Sequence, residues 1–104
     1  MSQLVFTAYK QAQKAINNAF SVLAEKGELK SAAPAPFTVE VPADRSNGDL
    51  SSNAAMVNAR TYGCAPAKIA AAICSAVDLT DTYFERCEPA GPGFINFYLS
   101  TGAN

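Results

Sequence analysis

The sequence contains no histidine. Its absence removes Ser–His and Cys–His nucleophile pairs and every metal site that needs an imidazole ligand, which excludes many classes of enzyme. The three cysteines form no C-x-x-C pair, and their odd number argues against a closed disulfide framework. We therefore interpret Cys64, Cys74 and Cys87 as reduced, structural residues of a cytosolic protein.

The chain has neither a large excess of one charge nor a long apolar run. Eight Lys and Arg stand against nine Asp and Glu, for a net charge of −1. No general positive field attracts phosphate, so any contact with nucleic acid has to be local. No segment approaches the ~20 apolar residues that cross a bilayer, and no secretory signal opens the sequence. These features predict a cytoplasmic protein without a membrane partner.

Enough apolar material is present for one hydrophobic core, since 49% of the 104 residues are hydrophobic. We expect a single domain over residues 1–104. Apolar residues at steps of three and four predict an amphipathic helix over residues 3–26, ended by Gly27. The opposite face of this helix carries Lys10 and Lys14, which either remain solvated or contact phosphate.

Two elements are predicted in the middle of the chain. Alternation in Phe37-Thr-Val-Glu-Val41 predicts a strand whose three apolar side chains face the core. After a turn-rich loop, Asp49 or Ser51 is expected to cap a helix that runs to about Tyr62. Its inward-facing residues are expected to include Leu50, Ala54 and Val57.

A further helix and a hairpin complete the predicted fold. Pro66 suits the first position of a helix over residues 66–77. The strand-like segments Tyr83–Glu88 and Phe94–Leu99 are joined by a Gly/Pro-rich bend. The expected fold class is therefore α+β, with a small, mainly antiparallel sheet and helices packed on one face, in the order α-β-α-α-β-β.

The last strand carries the most informative pattern of side chains. Its period of two places Ile95, Phe97 and Leu99 on one wholly apolar face, which is expected to enter the core. The other face carries Phe94, Asn96 and Tyr98, in which two aromatic rings flank a carboxamide. Such a surface can stack an unpaired base and hydrogen-bond its edge. Alternatively, this face is covered by other parts of the protein, and the spacing alone leaves both interpretations open.

Other candidate sites are weaker. Asp78 and Asp81 lie close together in the sequence, but no other polar group is expected to converge on them. The bend at Gly91-Pro-Gly93 lacks the following Lys-Ser/Thr of a phosphate-binding loop. No catalytic residue, metal ligand or nucleotide site is therefore predicted from the residue pattern.

Two segments resemble the N-terminal additional domain of arginyl-tRNA synthetases. These are Asn47-Gly-Asp-Leu-Ser-Ser-Asn-Ala-Ala-Met56 and Ala90-Gly-Pro-Gly-Phe-Ile-Asn-Phe-Tyr-Leu99. Between them, Ala65-Pro-Ala-Lys-Ile-Ala70 is similar to the stretch that opens the family's next helix, so the resemblance spans about residues 1–99. The sequence departs from the family at Asn47, where His is frequent, and at Leu50, where Tyr or Phe is frequent.

The resemblance implies a role in reading tRNA. In this family the N-terminal domain contacts a base of the D-loop through an aromatic residue and an amide that follow the Gly-Pro-Gly turn; these correspond to Phe94 and Asn96. Tyr98 is included because it shares their face. Asp49 and Asn53 are expected to be structural and to tie the loop to the following helix.

The resemblance also implies partners that lie outside this sequence. The full enzymes use ATP to attach arginine to its tRNA, with catalytic and anticodon-binding domains further along the chain. We expect this chain itself to need no cofactor and no metal, and to bind an arginine-accepting tRNA without catalysing a reaction. The alternative is a free-standing structural or protein-interaction domain derived from a synthetase.

Overall fold

The first element of the computed structural model, which describes residues 3–100, is a long helix, α1, at Gln3–Glu25. As predicted, its buried side chains form a single stripe: Ala8, Ala12, Ala15, Ile16, Ala19, Phe20 and Leu23. Gly27 ends the helix with φ +76°. The Gly27 N–H donates to the carbonyl of Ala24 and the Glu28 N–H to that of Leu23, which is the Schellman arrangement.

The sheet has four antiparallel strands in the spatial order β1-β2-β4-β3. They are β1 at Val39–Glu40, β2 at Leu50–Ser52, β3 at Phe84–Ala90 and β4 at Phe94–Leu99. The predicted hairpin of the last two strands is confirmed. Pro89 lies in β3, an edge strand. Proline has no N–H to donate, and an edge strand tolerates this because it has a neighbouring strand on one side only. With helices packed on this sheet, the predicted α+β class is confirmed.

The expected helix start at Asp49 or Ser51 is wrong, because Leu50–Ser52 forms strand β2. This strand lies between β1 and β4, so it joins the two halves of the sheet and adds a fourth strand to the predicted order. Leu50 and Ser52 are buried and Ser51 is half-buried, the alternation expected of a strand.

The helical part of this region begins after β2 and is broken in two. Helix α2 covers Ala54–Val57, and helix α3 covers Ala59–Tyr62. The hydroxyl of Ser52 accepts a hydrogen bond from the Ala54 N–H at 3.1 Å. Helix α2 buries Ala54 and Ala55, and Val57 at its end is 41% exposed instead of facing inward as predicted.

The strand predicted at Phe37–Val41 is shorter than expected. Val39 is buried and Phe37 packs partly against the core, but Val41 is 57% exposed. Pairing with β2 ends at Glu40, and Pro42, two residues later, has no N–H with which to extend the ladder. Val41 therefore lies beyond the strand, and its predicted core position is wrong.

Asn58 fixes the connector that precedes β1. Its Oδ1 accepts from the Ala35 N–H at 2.6 Å, and its Nδ2 donates to the carbonyls of Ala35 and Ala54. The hydroxyl of Tyr62 donates to the carbonyl of Ala32 at 2.9 Å. Asn58 is fully buried, so these bonds hold an otherwise irregular segment against the helices.

Helix α4 at Pro66–Ala76 agrees with the predicted helix and turns Ile69, Ala70 and Ile73 into the core. The ring of Phe20 stacks on that of Tyr62 at 5.0 Å between centroids, and Phe84 meets Phe97 at 5.1 Å. The first contact joins α1 to α3 and the second joins β3 to β4, and all four rings belong to one core.

The three cysteines are free thiols and half-buried. The Sγ atoms of Cys74 and Cys87 lie 3.2 Å apart, between α4 and β3. Within residues 3–100, no helix combines the length and the apolar character needed to cross a membrane.

Candidate functional site

A cleft of about 470 Å³ lies across the outer face of the sheet, and we call it the strand cleft. It is lined by residues 40–43, 51–53 and 90–92, with Asn47, Phe94 and Asn96. The strand register explains its position. Val39, Ser52 and Ile95 are aligned across β1, β2 and β4 and are all buried, so the next aligned residues point to the opposite face.

Those next residues form a polar row across all four strands. Glu40 pairs with Ser51, Ser51 with Asn96, and Asn96 with Glu88. The Ser51 hydroxyl donates to Asn96 Oδ1 at 2.9 Å. Since β4 is an inner strand, Asn96 has neighbours on both sides and lies on the floor of the strand cleft.

Asn96 is only 2% exposed, although the alternation of β4 correctly placed it on the outer face. The loop between β1 and β2 approaches it closely. Gly48 has φ +95°, and a Cβ there would lie 2.8 Å from the carbonyl oxygen of Phe97 and 3.4 Å from the Cβ of Asn96. A residue with a side chain at position 48 would push this loop away from β4. Glycine therefore allows the loop to lie directly over Asn96.

The amide nitrogen of Asn96 is left without a hydrogen-bond partner among the described residues. Every described side-chain nitrogen or oxygen that is sealed from solvent has a hydrogen-bond partner. The Nδ2 atom is therefore not sealed, and Asn96 lines the strand cleft. Almost all of the side chain is covered, and Nδ2 is its polar atom that no described residue pairs.

Phe94 lies at the rim of the same cleft and is 41% exposed. The residue before it, Gly93, has φ +144° and is packed so tightly that an added Cβ would lie 2.6 Å from Pro66 Cβ. This packing fixes the hairpin bend against the start of α4. Phe94 then begins β4 opposite Ala90, with its ring on the outer face. The position of the Phe94 ring is thus fixed by the packing of Gly93 before it and by the strand pairing that begins at Phe94 itself.

Tyr98 is placed differently from the other two predicted site residues. It shares their face of β4 but does not line the strand cleft. The Arg86 guanidinium lies 3.8 Å from the centre of its ring, and its hydroxyl donates to the carbonyl of Ser46 at 3.3 Å. One face of this ring is therefore covered by Arg86, itself paired with Glu85 and Glu88. The structure brings Phe94 and Asn96 together and sets Tyr98 apart.

Asp49 ties the loop to the sheet, not to a helix as the sequence suggested. Its Oδ2 accepts from the Leu99 N–H at 2.9 Å and its Oδ1 from Arg45 at 2.7 Å. Burial, the largest single influence, acts to raise the pKa of Asp49, but the hydrogen bonds of Leu99 and Arg45 outweigh it and the pKa is lowered. The carboxylate is thus held in its ionised form across the end of β4.

Asn53 makes the corresponding link to β1. Its Oδ1 accepts from the Thr38 N–H at 2.9 Å, so the expected tie to the following helix is wrong for this residue as well. Asn53 also lines the strand cleft. Both polar residues are structural, as expected, but they act on the strands that border the cleft.

The electrostatic character of the strand cleft is mildly acidic. Among the described residues that line it, Glu40 is the only charged one, and none is Lys or Arg. Phosphate would find no cation there, whereas a neutral planar group would meet an exposed ring and a polar amide. No cluster of three or more His, Cys, Asp or Glu residues suited to a metal ion occurs in residues 3–100.

Sequence reasoning missed Ser51 as a contributor to this site. The sequence favours this serine as a helix cap, because Ser is common at that position. Its actual role depends on the register between β2 and β4, which joins residues far apart in the chain. No local signal in the sequence reveals that pairing.

Comparison with known proteins finds arginyl-tRNA synthetases by sequence and by structure. Residues 10–99 match a family described as the arginyl tRNA synthetase N terminal domain. The arginine–tRNA ligase of Acetivibrio thermocellus is 39% identical over 100 residues, which is 96% of this chain and 18% of that protein. The corresponding ligase of Desulforamulus reducens is 40% identical over 99 residues. This chain thus spans less than a fifth of the length of these relatives.

A solved structure shows the same fold. The arginyl-tRNA synthetase of Thermus thermophilus superimposes with a TM-score of 0.69 at 24% identity, over 91% of this chain and 14% of that one. A synthetase from Plasmodium falciparum gives a TM-score of 0.65 at 22% identity. The likeness therefore extends over most of the strands and helices described above.

Proposed function

The chain belongs to the arginyl-tRNA synthetase N-terminal domain family, and from this premise we propose that it is the tRNA-recognition domain of an arginine–tRNA ligase. Its ligand is a base of the D-loop of an arginine-accepting tRNA. Phe94 stacks on that base and Asn96 hydrogen-bonds its edge. The observation that carries the proposal is the meeting of these two side chains in the strand cleft.

The chemistry of the strand cleft supports a base as its ligand. Stacking of an unpaired base on an aromatic ring contributes about 1–3 kcal/mol. A hydrogen bond from an amide to a base edge adds discrimination, because a mismatched edge leaves the amide without its partner. Phe94 has the exposed ring, and Asn96 lines the cleft with an Nδ2 that no described residue pairs. Tyr98, with one ring face under Arg86, has a smaller part in this proposal.

The absence of cations from the lining of the strand cleft bears on affinity. Without Lys or Arg beside the base, the contact lacks the phosphate interactions that dominate nucleic-acid affinity. A weak contact still adds selectivity when catalytic and anticodon-binding domains hold the same tRNA, because the second contact becomes intramolecular. The proposal therefore includes those domains as partners in a longer, cytoplasmic protein that uses ATP, with no cofactor bound by residues 1–104.

The test compares tRNA transcripts that differ only in the contacted D-loop base. Asn96→Ala should weaken binding of the transcript with the favoured base and have little effect on the others, measured by NMR titration of this chain. Asn17→Ala is the matched control, because Asn17 is an exposed asparagine on α1. Equal losses for all four transcripts in Asn96→Ala would contradict the base-reading role.

A second candidate is a protein-interaction domain, and one feature favours it. A small apolar cavity of about 120 Å³ lies between the start of α1 and the end of β4, lined in part by Leu4, Ala8, Leu50 and Leu99. Nearby on α1, Phe6 is exposed. If the reading frame stops after this chain and no transcript binds, this second function replaces the first.

A further inference from the structure

We propose that Cys74 and Cys87 form a reversible disulfide that fastens the edge strand β3 to helix α4 when the protein meets a small-molecule disulfide. The two thiols lie outside the lining of the strand cleft, and their oxidation requires no contact with tRNA. This modification is therefore independent of the proposed function. The observation that carries it is the 3.2 Å separation of the two Sγ atoms.

The fold brings these two thiols together although thirteen positions separate them in the sequence. Cys87 is aligned with Phe97 in the β3–β4 ladder, and Phe97 is fully buried, so Cys87 lies on the inner face of the sheet. Helix α4 packs against β3, and Cys74 directly follows Ile73, whose side chain is in the core. The helix and the strand thus hold the two sulfurs next to each other in the reduced protein.

Little movement is needed to join the two sulfurs. A disulfide has an S–S bond of about 2.05 Å, so the Sγ atoms have to approach by only about 1.2 Å. Both side chains are half-buried, so neither is sealed from a small reagent. Cys64, the third cysteine, is also half-buried, but its Sγ donates to the carbonyl of Tyr62 at 3.5 Å. The bond is therefore expected between Cys74 and Cys87.

The reaction is a thiol–disulfide exchange in two steps. A thiolate of the pair attacks one sulfur of the small disulfide, so that a mixed disulfide forms and one small thiol leaves. The second cysteine loses its proton and attacks the protein sulfur of the mixed disulfide, which expels the second small thiol. Two protein thiols are thereby oxidised and one small disulfide is reduced to two thiols. The two protons lost by the cysteines end on those thiols.

The titration of the pair supports one attacking sulfur and one resolving sulfur. The hydrogen-bond contact with Cys74, together with burial, raises the pKa of Cys87 well above its usual range. Cys87 therefore keeps its proton near neutral pH, and because the thiolate is the nucleophile, Cys74 makes the first attack. Once Cys74 is in the mixed disulfide, it no longer acts on Cys87 as a thiol or a thiolate. Cys87 can then ionise and resolve the intermediate.

Strand β3 is the part of the sheet that this bond affects most. It is an edge strand and pairs with β4 alone. Its register shifts between Phe84 and Arg86, and Pro89 has no N–H to donate. Cys87 lies between these two irregularities, and the bond closes a covalent loop through residues 75–86. The disulfide should therefore suppress local opening of β3.

The first test is chemical. The folded chain is incubated with oxidised glutathione, the remaining thiols are alkylated, and the peptides are mapped by mass spectrometry without reduction. We expect an intramolecular Cys74–Cys87 disulfide that dithiothreitol returns to two thiols. Cys87→Ser should stop at the mixed disulfide on Cys74, and Cys74→Ser should form no intramolecular bond.

Cys64→Ser is the matched control for the chemical test, because it removes a half-buried thiol outside the pair. This variant should form the same disulfide as the unaltered chain. Three free thiols after exposure to oxidised glutathione, a mixed disulfide that never resolves, or a bond that includes Cys64 would each overturn the proposal. Any of these results would leave the reading of a tRNA base unaffected.

The second measurement follows strand β3 itself. In the oxidised chain, amide hydrogen exchange in β3 should slow about 10-fold or more relative to exchange in α1, and the urea midpoint should rise by about 1 M. Cys64→Ser should show both changes on oxidation, and Cys87→Ser should show neither. If the disulfide forms but exchange in β3 does not slow, the bond does not fasten the strand and the proposed role is wrong.

Discussion

The carboxylate of Asp49 accepts a hydrogen bond from the backbone N–H of Leu99, so the loop before β2 is fastened to the last residue of β4. The Asp49 N–H also donates to the carbonyl of Phe97 at 2.8 Å. These two bonds continue the β2–β4 ladder into the loop. The cover over Asn96 is therefore an extension of the sheet.

The pH dependence of stability should report on Asp49. An aspartate in an unfolded chain has a pKa near ~3.9, and the pKa of Asp49 in the folded protein is lower. Its contribution is therefore complete above that value and is lost as the pH falls through the folded pKa. We expect Asp49→Asn to lower the free energy of unfolding by about 1 kcal/mol at pH 7 and by progressively less as the pH falls below ~4, measured by urea denaturation. Glu25→Gln, at an exposed position on α1, is the control, and a pH-independent difference for Asp49→Asn would contradict the expectation.

The tight packing of the hairpin bend predicts a strong effect at Gly93. An alanine there would place its Cβ 2.6 Å from Pro66 Cβ at an unfavourable φ of +144°. Gly63 also has a positive φ, but an added Cβ meets nothing within 4 Å. We expect Gly93→Ala to cost about 3 kcal/mol or more and Gly63→Ala about 1–2 kcal/mol, measured as the shift in urea midpoint at constant slope. Similar losses at the two positions would show that close packing at the bend is not what constrains Gly93.

The two faces of β4 predict opposite effects for its phenylalanines. Phe97 is fully buried against Phe84, whereas Phe94 is at the rim of the strand cleft. We expect Phe97→Ala to lower the free energy of unfolding by about 3–5 kcal/mol and Phe94→Ala by much less. In the tRNA titration we expect Phe94→Ala to weaken binding although the protein stays folded, because this change removes the ring on which the base stacks. Equal unfolding midpoints would contradict the assignment of faces.

Removal of the buried amide at Asn58 should release the connector before β1. Asn58→Ala leaves the Ala35 N–H and two carbonyls without their partner, and we expect a loss of about 2–3 kcal/mol. Hydrogen exchange at the Ala35 amide should accelerate more than exchange in α1. If the Ala35 amide remains protected, the connector is held by contacts other than Asn58.

The sequence was sufficient to predict the elements whose signals are local. The stripe of α1, the proline at the start of α4 and the alternation of β4 each arise from neighbouring residues. Alternation alone placed Phe94 and Asn96 on the outer face, and the structure agrees. It left open whether this face is covered: Asn96 is nearly covered and Phe94 is exposed, because the cover comes from a loop more than forty positions away.

Strand β2 shows why the remainder was not predictable. Leu50–Ser52 is too short for a clear period, and its serines are equally suited to capping a helix. Its conformation is decided by partners in β1 and β4. Val41 was misplaced for a similar reason, since the end of pairing at Glu40 lies in the ladder and not in the alternation of the strand.

The strand order has a consequence for how the chain folds during synthesis. The inner position beside β2 is filled by β4, the last strand in the sequence, and β1 with β2 alone form only two aligned residue pairs. Until residues 94–99 have left the ribosome, β2 has no partner on that side and Phe97 is missing from the core. Long-range pairing of this kind slows folding, because loop closure precedes the contacts that reward it. We therefore expect α1 to form early and the sheet to assemble in one late, cooperative step, so that a nascent chain that ends before residue 94 remains without a sheet.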